Sequence, residues 1–316
     1  MAAQSDKDKE VVDWIISCRK EADLAKHTRM ERNKDNYNMF HLEYDFSHKE
    51  EGQSTEVLSK QSMAVEQIKS FFQQALVDIG EWWKVEVRSG KDERTLLVRP
   101  EEITKLTNYM LEKSNYFSHV GNSIQSALLG SLAISKTFGV LKPKPKFEVK
   151  KKKGRRKSVV KVEDKTWQLK FDVIRQENYY PDPDNKGLYQ IEDSWLDFHE
   201  IMALAEGDDA IYDKSQVDKI PGSSTADAKN ESILARETGQ DPVVSGHRRK
   251  IKVTEYWGDI LDKTTGKVIH ENVVATIADD QILIRRPENN PNWHQEIPIS
   301  AAPPIVTGKH FTCCLI

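Results

Sequence analysis

The acidic corner Tyr179-Tyr180-Pro181-Asp182-Pro183-Asp184-Asn185-Lys186-Gly187 is the densest group of side chains that could do chemistry. Asp182, Asp184 and Gly187 imitate the start of a calcium-binding loop, but Lys186 stands at the fifth position and Asp193 at the closing one. Calcium loops need a neutral or acidic oxygen at the first and a bidentate glutamate at the second, so the stretch is read as an Asp/Pro turn. His199-Glu200 would open a zinc-protease HExxH motif if Ala203 were a histidine; without the second imidazole no zinc is expected. The run Lys150, Lys151, Lys152, Lys153, Gly154, Arg155, Arg156, Lys157 has the charge to contact DNA or RNA phosphates, which carry no sequence information. A solvated hairpin tip and a nuclear localisation signal are its other readings. No aromatic interrupts the run, so stacking of single-stranded bases is not indicated.

The motifs of nucleotide chemistry are missing. Gly266-Lys267 has neither the upstream glycine nor the following Ser/Thr of a phosphate-binding loop, and there is no GxGxxG. Ser, His and Asp are abundant, at no spacing that marks a nucleophile and its base. No cofactor, metal or catalysis is therefore expected. The enzymatic alternative is a site assembled from dispersed residues such as Asp182, Asp184 and His199. Cys313-Cys314-Leu315-Ile316 fits the C-a-a-X prenylation pattern. No second lipid signal accompanies it, so it is read as coincidence or as a chain that stops before structural closure.

The elements that must position these groups follow from periodicity. Val11, Val12, Trp14, Ile15 and Ile16 open a helix predicted over 10–32, with 33–52 irregular despite Tyr37, Phe40, Tyr44 and Phe46. Val57, Val65, Ile68, Phe72, Leu76 and Ile79 keep a 3.6-residue period, broadened by Leu58, Ala64, Phe71 and Ala75. That stripe predicts an amphipathic helix from Glu56, stopped by Gly80. Trp82 to Val87 is predicted to pair with Thr95 to Val98 across Ser89-Gly90. Pro100 starts a third helix, with Glu101 and Glu102 in its first turn and Ile103, Leu106, Tyr109 and Met110 on its buried side. After Gly121 a small-residue helix runs through SIQSALLGSLAIS, with a change of direction possible at Gly130.

The second half changes to a period of two. Strands are predicted at Phe147 to Val149, Ser158 to Val162 and Trp167 to Val173, then beyond the acidic corner at Gly187 to Glu192. Ser194 is predicted to cap a helix on which Trp195, Phe198, Met202 and Ala205 repeat, with Asp197 at the capping-box position. Residues 206–247 read as a surface excursion. Lys250 to Leu261, Lys267 to Ile277 and Gln281 to Arg286 then form an antiparallel meander, followed by a proline-rich extended tail. The class is α+β: a helical N-terminal half, then a mixed, mainly antiparallel β region with inserted helices. The expected segments are 1–52, 53–145, 146–300 and 301–316.

At 316 residues the chain can bury a sizeable core, and no run approaches the roughly 18 apolar residues of a membrane span. Three cysteines, Cys18, Cys313 and Cys314, suit a reducing compartment. The net charge of −3 hides a segregation. From Lys142 to Lys165 there are twelve bases against three acids, whereas from Glu177 to Asp241 acids outnumber bases about three to one.

The order of these elements resembles a tailed-bacteriophage portal protein, the head–tail connector. The resemblance runs through Ser54 to Ile79, the segment Val98 to Phe138 with ALLGSLAISKTFG, the corner DVIRQENYYPDPDNKG, and the meander VTEYWGDILDKTTGKVIHENVVATIADDQILIRRPENNPNWHQEIPI with its proline-rich exit. In that family such a region is the wing of a ring subunit; stem, channel, clip and crown segments are expected to follow it. The resemblance implies a ring of about twelve copies at one capsid vertex of the virion, assembled in the host cytoplasm. It implies passage of double-stranded DNA through the ring, and capsid, scaffold, terminase and tail-adaptor proteins as partners. It implies no covalent chemistry and no membrane. A nucleic-acid-binding module built on the hairpin 150–157 is the alternative.

Overall fold

The computed structural model describes residues 2–50, 53–54, 58–78, 82–85, 99–150, 158–184, 186–207, 210–221, 249–263, 265–292 and 294–302, with side chains described outside 2–6, 77, 141–150 and 158–167. The chain is α+β and divides into two compact units that interleave in sequence. The first unit comprises Met1–Glu66, Ser126–Ile134 and Ile174–Ile316; the second comprises Gln67–Gln125 and Ser135–Val173.

The first unit is built on a five-stranded antiparallel sheet in the order β3 (Tyr179–Pro181), β4 (Tyr189–Asp197), β5 (Lys250–Leu261), β6 (Val268–Ala278) and β7 (Ile282–Asn289). Its last three strands are the expected meander. Helix α1 (Ala2–Phe40) lies on one face, burying Val12, Ile15, Cys18 and Ala22 among Tyr189, Ile191, Tyr256, Ala275 and Ile277. The spacing 12, 15, 18, 22 is one helical stripe. On the sheet's other face Trp257 and Val274 pack with Leu132, Ile134, Ile174 and Ile299, the last in the short strand β8 (Ile299–Ala302). Cover on both faces explains why Val273 to Ala278 is buried without alternation.

Helix α1 runs eight residues past its predicted end. Tyr37 is buried with Val65 and Leu129, Asn33 Nδ2 donates to Gln176 Oε1 at 2.8 Å, and Asn36 Nδ2 donates to the Leu129 carbonyl at 2.8 Å. Tertiary anchors of this kind sustain a helix whose local propensity is weak. The predicted cap at Ser194 is also corrected. Ser194 lies within β4, because Asp193 pairs with Thr254 and Asp197 with Lys250 in unbroken register. Helix α5 (Phe198–Leu204) starts after Asp197, whose amide donates to the Glu200 carboxylate at 3.1 Å, and Trp195 is a strand residue. Ile201 of α5 and Val217 of the one-turn helix α6 (Lys214–Val217) cover Ile251, Val253 and Ile284. Between α6 and β5, Arg249 Nη2 donates to the Ile220 carbonyl at 2.8 Å and to that of Pro221, and the guanidinium stacks 3.9 Å from the Phe198 ring centroid.

In the second unit, α2 (Lys60–Asp78, from Gln67 onward) and α3 (Pro100–Lys113) accompany the first part of α4 (Tyr116–Gly130). Trp82, Tyr116, Phe117 and Phe171 form an aromatic cluster. The amides of Trp82 and Trp83 donate to Asn108 Oδ1 at 3.0 and 3.3 Å, and that of Val85 donates to Thr104 Oγ1 at 3.0 Å. Residues 82–85 are therefore satisfied by α3 side chains; the expected partner strand 95–98 lies outside the described residues. The buried side of α3 is Thr104 and Leu111, not Leu106 and Tyr109.

The three short strands predicted between 147 and 173 are parts of one hairpin. Strand β1 (Ala133–Lys150) pairs with β2 (Ser158–Val173) without a break from Ser135↔Val173 to Lys150↔Ser158, a ribbon about 50 Å long. The four-residue β8 flanks β1 on its other side, and where β1 pairs with β2 alone its alternate amides point outward, which tolerates Pro143 and Pro145. The small-residue helix correspondingly ends at Gly130. The chain reverses at Ser131, at φ 66°, and continues as strand from Ala133.

Candidate functional site

The first unit holds a closed polar network between α1 and the sheet. Asp193 occupies an inward position of β4, two residues after Ile191 and four after Tyr189, where alternation calls for an apolar side chain. It is 2% exposed and accepts from Thr254 Oγ1 at 2.6 Å and Lys252 Nζ at 3.1 Å. Arg19, on the sheet-facing side of α1, donates to both carboxylate oxygens of Asp280 at 2.5 and 2.8 Å, to Thr254 Oγ1 at 3.2 Å, and reaches Asp193 at 3.5 Å. Lys252 also meets Asp280 at 3.3 Å. Asp280 is presented by the β6–β7 turn, where Asp279 and Asp280 both take left-handed backbone, φ 51° and 57°.

Two cations and two carboxylates thus neutralise one another. Burial alone would lower Arg19, but its bond to Asp280 and the charges of Asp193 and Asp280 outweigh that and raise it. Burial would raise Asp280, and the Arg19 bond and charge outweigh it and hold the carboxyl below its ordinary value. Paired charges of this kind resist removal of one partner because the other is left uncompensated.

Lys26, two turns along α1, makes a second brace. It is 5% exposed; its Nζ donates to the carbonyls of Gln176 at 3.3 Å, Tyr179 at 3.0 Å and Glu177, and lies 3.4 Å from the Tyr180 ring centroid. Those carbonyls belong to the single turn of 3-10 helix Gln176–Asn178 and to β3. Gln176 in turn donates to the carbonyls of Ser126 at 3.3 Å and Leu132. Burial pushes Lys26 down to about 7 despite the nearby charges of Asp23, Asp193 and Glu177. More than two turns back along α1, burial pushes the Cys18 thiol up to about 12, which leaves no thiolate for chemistry near neutrality.

The acidic corner is organised by Asp182. Its carboxylate accepts from the amides of Asp184, Lys186 and Leu188 at 3.0, 3.2 and 3.1 Å, while its own amide donates to the Tyr189 carbonyl at 3.1 Å. The oxygens that a cation would need are committed to the turn. Asp184 is exposed and pairs with Lys186 at 3.1 Å. His199 is exposed at the start of α5, and Glu200 is occupied by the Asp197 amide. The structure does not bring Asp182, Asp184 and His199 into one site: Asp182 serves the corner, whereas His199 lies past the far end of β4. Among the described residues no group of three or more His, Cys, Asp or Glu could hold a metal ion, and no helix is long and apolar enough to cross a membrane. An open cleft of about 600 Å³, lined by Asp8, Lys9, Ser215, Lys219, Gln281 and Arg286, has lining charges of both signs, and Arg286 pairs with Asp8 at 3.3 Å.

Of the basic run, Lys150 is the last residue of β1, paired with Ser158. Lys151, Lys152, Lys153, Arg155, Arg156 and Lys157 lie outside the described residues, as do Cys313 and Cys314. The braces at Arg19, Lys26, Asp193, Lys252 and Asp280 went unrecognised in the sequence. Their one legible signal was Asp193, an acid at an inward strand position. No protein-family model matches the chain, and no curated protein matches it.

Proposed function

We propose that this chain is a structural subunit of a phage portal ring at the capsid vertex, forming the conduit for DNA packaging and ejection and the attachment point for tail proteins. The observation that carries the reading is where the reactive-looking side chains are spent. Asp182 is consumed by three backbone donors, and Asp193 and Asp280 by Arg19, Lys252 and Thr254. Each of these constellations braces α1, a corner or a strand pair. Rigid braces suit a subunit that transmits load and holds neighbours in register. The element order supports the same reading: a charged helical arm, a helical group ending in a strand, an Asp-Pro corner and a meander.

Electron microscopy of the protein expressed from its full reading frame tests it. Closed rings of about twelve copies with a central channel are expected. A protein that stays monomeric at every accessible concentration overturns the reading. The ribbon β1–β2 supports a second reading, a nucleic-acid-binding arm, because it carries the basic run between its paired ends at Lys150 and Ser158. For that reading, duplex DNA binding should weaken steeply with salt, and reversal of the six charges from Lys151 to Lys157 should abolish it.

A further inference from the structure

Helix α2 is inverted relative to its own hydrophobicity. In the part belonging to the second unit, Ile68, Phe71, Phe72 and Ala75 are exposed, Phe71 at 71% and Phe72 at 50%. The half-buried positions instead include the polar Lys69 and Gln73. Lys69 Nζ donates to Gln125 Oε1 at 2.8 Å, and Gln73 lies against Gly121 of α4. Apolar residues at 68, 71, 72 and 75 follow the i, i+3, i+4, i+7 spacing of a face that belongs in an interface. Helix α3 of the same unit repeats the pattern on a smaller scale. It buries Thr104 and Leu111 and turns Leu106 and Tyr109, 58% and 55% exposed, outward one turn apart. Scattered exposed leucines need no explanation, but two apolar helical stripes on one unit do.

The exposed fractions leave about 300 Å² of apolar side chain on α2, and about 200 Å² on Leu106 and Tyr109, with Trp83 adding to the total. Together with a polar rim, one stripe seated on the other buries about 1,000 Å², the lower bound of a specific contact. A contact between two different patches of identical chains repeats from copy to copy and can close into a ring. Two self-complementary contacts, stripe on like stripe, would instead cross-link copies through separate dyads. One occupant satisfies both stripes at once.

We propose that the α2 stripe Ile68, Phe71, Phe72 and Ala75 seats against the α3 stripe Leu106 and Tyr109 of a second copy of this chain. The assignment rests on the ring reading and names the apolar contact between neighbouring subunits. The test uses the full chain with Cys313 and Cys314 changed to serine. Differently tagged Phe71→Cys and Leu106→Cys variants are mixed and oxidised, and mixed disulfides are expected well above either like-with-like product. Phe71→Glu and Leu106→Glu are each expected to raise the dissociation constant for self-association at least about tenfold, with unchanged circular dichroism and melting. Disulfides that join two copies of the Phe71→Cys variant in preference to the mixed pair, or self-association unaffected by Phe71→Glu, overturn the proposal. Rings that persist without the mixed disulfide mean that another protein or surface covers α2; they refute this contact and leave the ring reading standing. Mixed disulfides in open filaments or dimers refute the ring and leave the contact standing. A chain with no self-association refutes both.

Discussion

Replacing Lys26 by methionine tests whether burial governs that brace. The folded protein holds the Lys26 amine down at about 7, against an ordinary value of 10.5 in the unfolded chain. Between those values the unfolded chain binds a proton that the folded chain releases, so stability rises with pH across that window. The steepest slope is about 1.4 kcal/mol per pH unit, which integrates to roughly 2 kcal/mol between pH 7 and pH 9. Lys26→Met abolishes this contribution and leaves the carbonyls of Gln176, Glu177 and Tyr179 without their donor. The variant also escapes the penalty that burial imposes on the ammonium, so its stability is flat across this window, and the difference moves in wild type's favour by roughly 2 kcal/mol from pH 7 to pH 9. Urea unfolding at pH 7, 8 and 9, followed by tryptophan fluorescence, measures both curves. Parallel curves refute the reasoning. So does a difference that moves in the variant's favour as pH rises, because it would mean that the carbonyl cage favours the ammonium more than burial disfavours it.

The other predictions concern shape and charge. Of three glycine substitutions, Gly258→Ala is expected to be the most damaging, costing about 3 kcal/mol or more: φ is +140°, and a Cβ would meet the Leu188 carbonyl oxygen at 2.2 Å and Tyr189 Cα at 2.7 Å. Gly130→Ala is expected to cost about 1–3 kcal/mol, because its Cβ drives into Gln176, which is 3% exposed and held by three partners. Gly121→Ala meets only the end of the half-buried Gln73 and is expected within about 1 kcal/mol of wild type; denaturant midpoints rank all three. Arg19→Met removes the bidentate partner of Asp280 and is expected to cost about 3 kcal/mol. Asp280, held below its ordinary value, stabilises the fold above the unfolded carboxyl range and loses that contribution as pH falls through its folded value. Asp280→Asn should therefore flatten the acid limb of a stability–pH profile measured from pH 6 to pH 2.

Legibility in the sequence followed how locally each element is determined. The meander could be read to within a few residues because β5, β6 and β7 are consecutive and their turns are marked, by Asp262 to Gly266 and by Asp279-Asp280. Pro100 and its acidic first turn located α3 for the same reason. The end of α1 was missed because Tyr37, Asn33 and Asn36 hold it through partners at residues 65, 129 and 176, which no local window sees. Which way α2 faces was not legible, because periodicity reports which residues are apolar, not what covers them. Phe71 and Phe72 keep a flawless period and stand in solvent. The polar braces were the least legible. Arg19 and Asp280 lie far apart in the chain, and one of three arginines among many charged residues on α1 carries no mark of its partner.

Arg249 sets the rules for change at the segment that precedes β5. By holding the carbonyls of Ile220 and Pro221 and stacking on Phe198, it brings the departure and return of the intervening stretch together at one point on the first unit. The entropy of closing such a stretch grows only with the logarithm of its length, about 0.6 kcal/mol per doubling. A change in the number of residues between Pro221 and Arg249 therefore carries only that small closure term. The neck is a graft point at which a lineage can exchange one inserted peptide for another, or an experimenter can add a tag, while the register of β4 and β5 stays as it is.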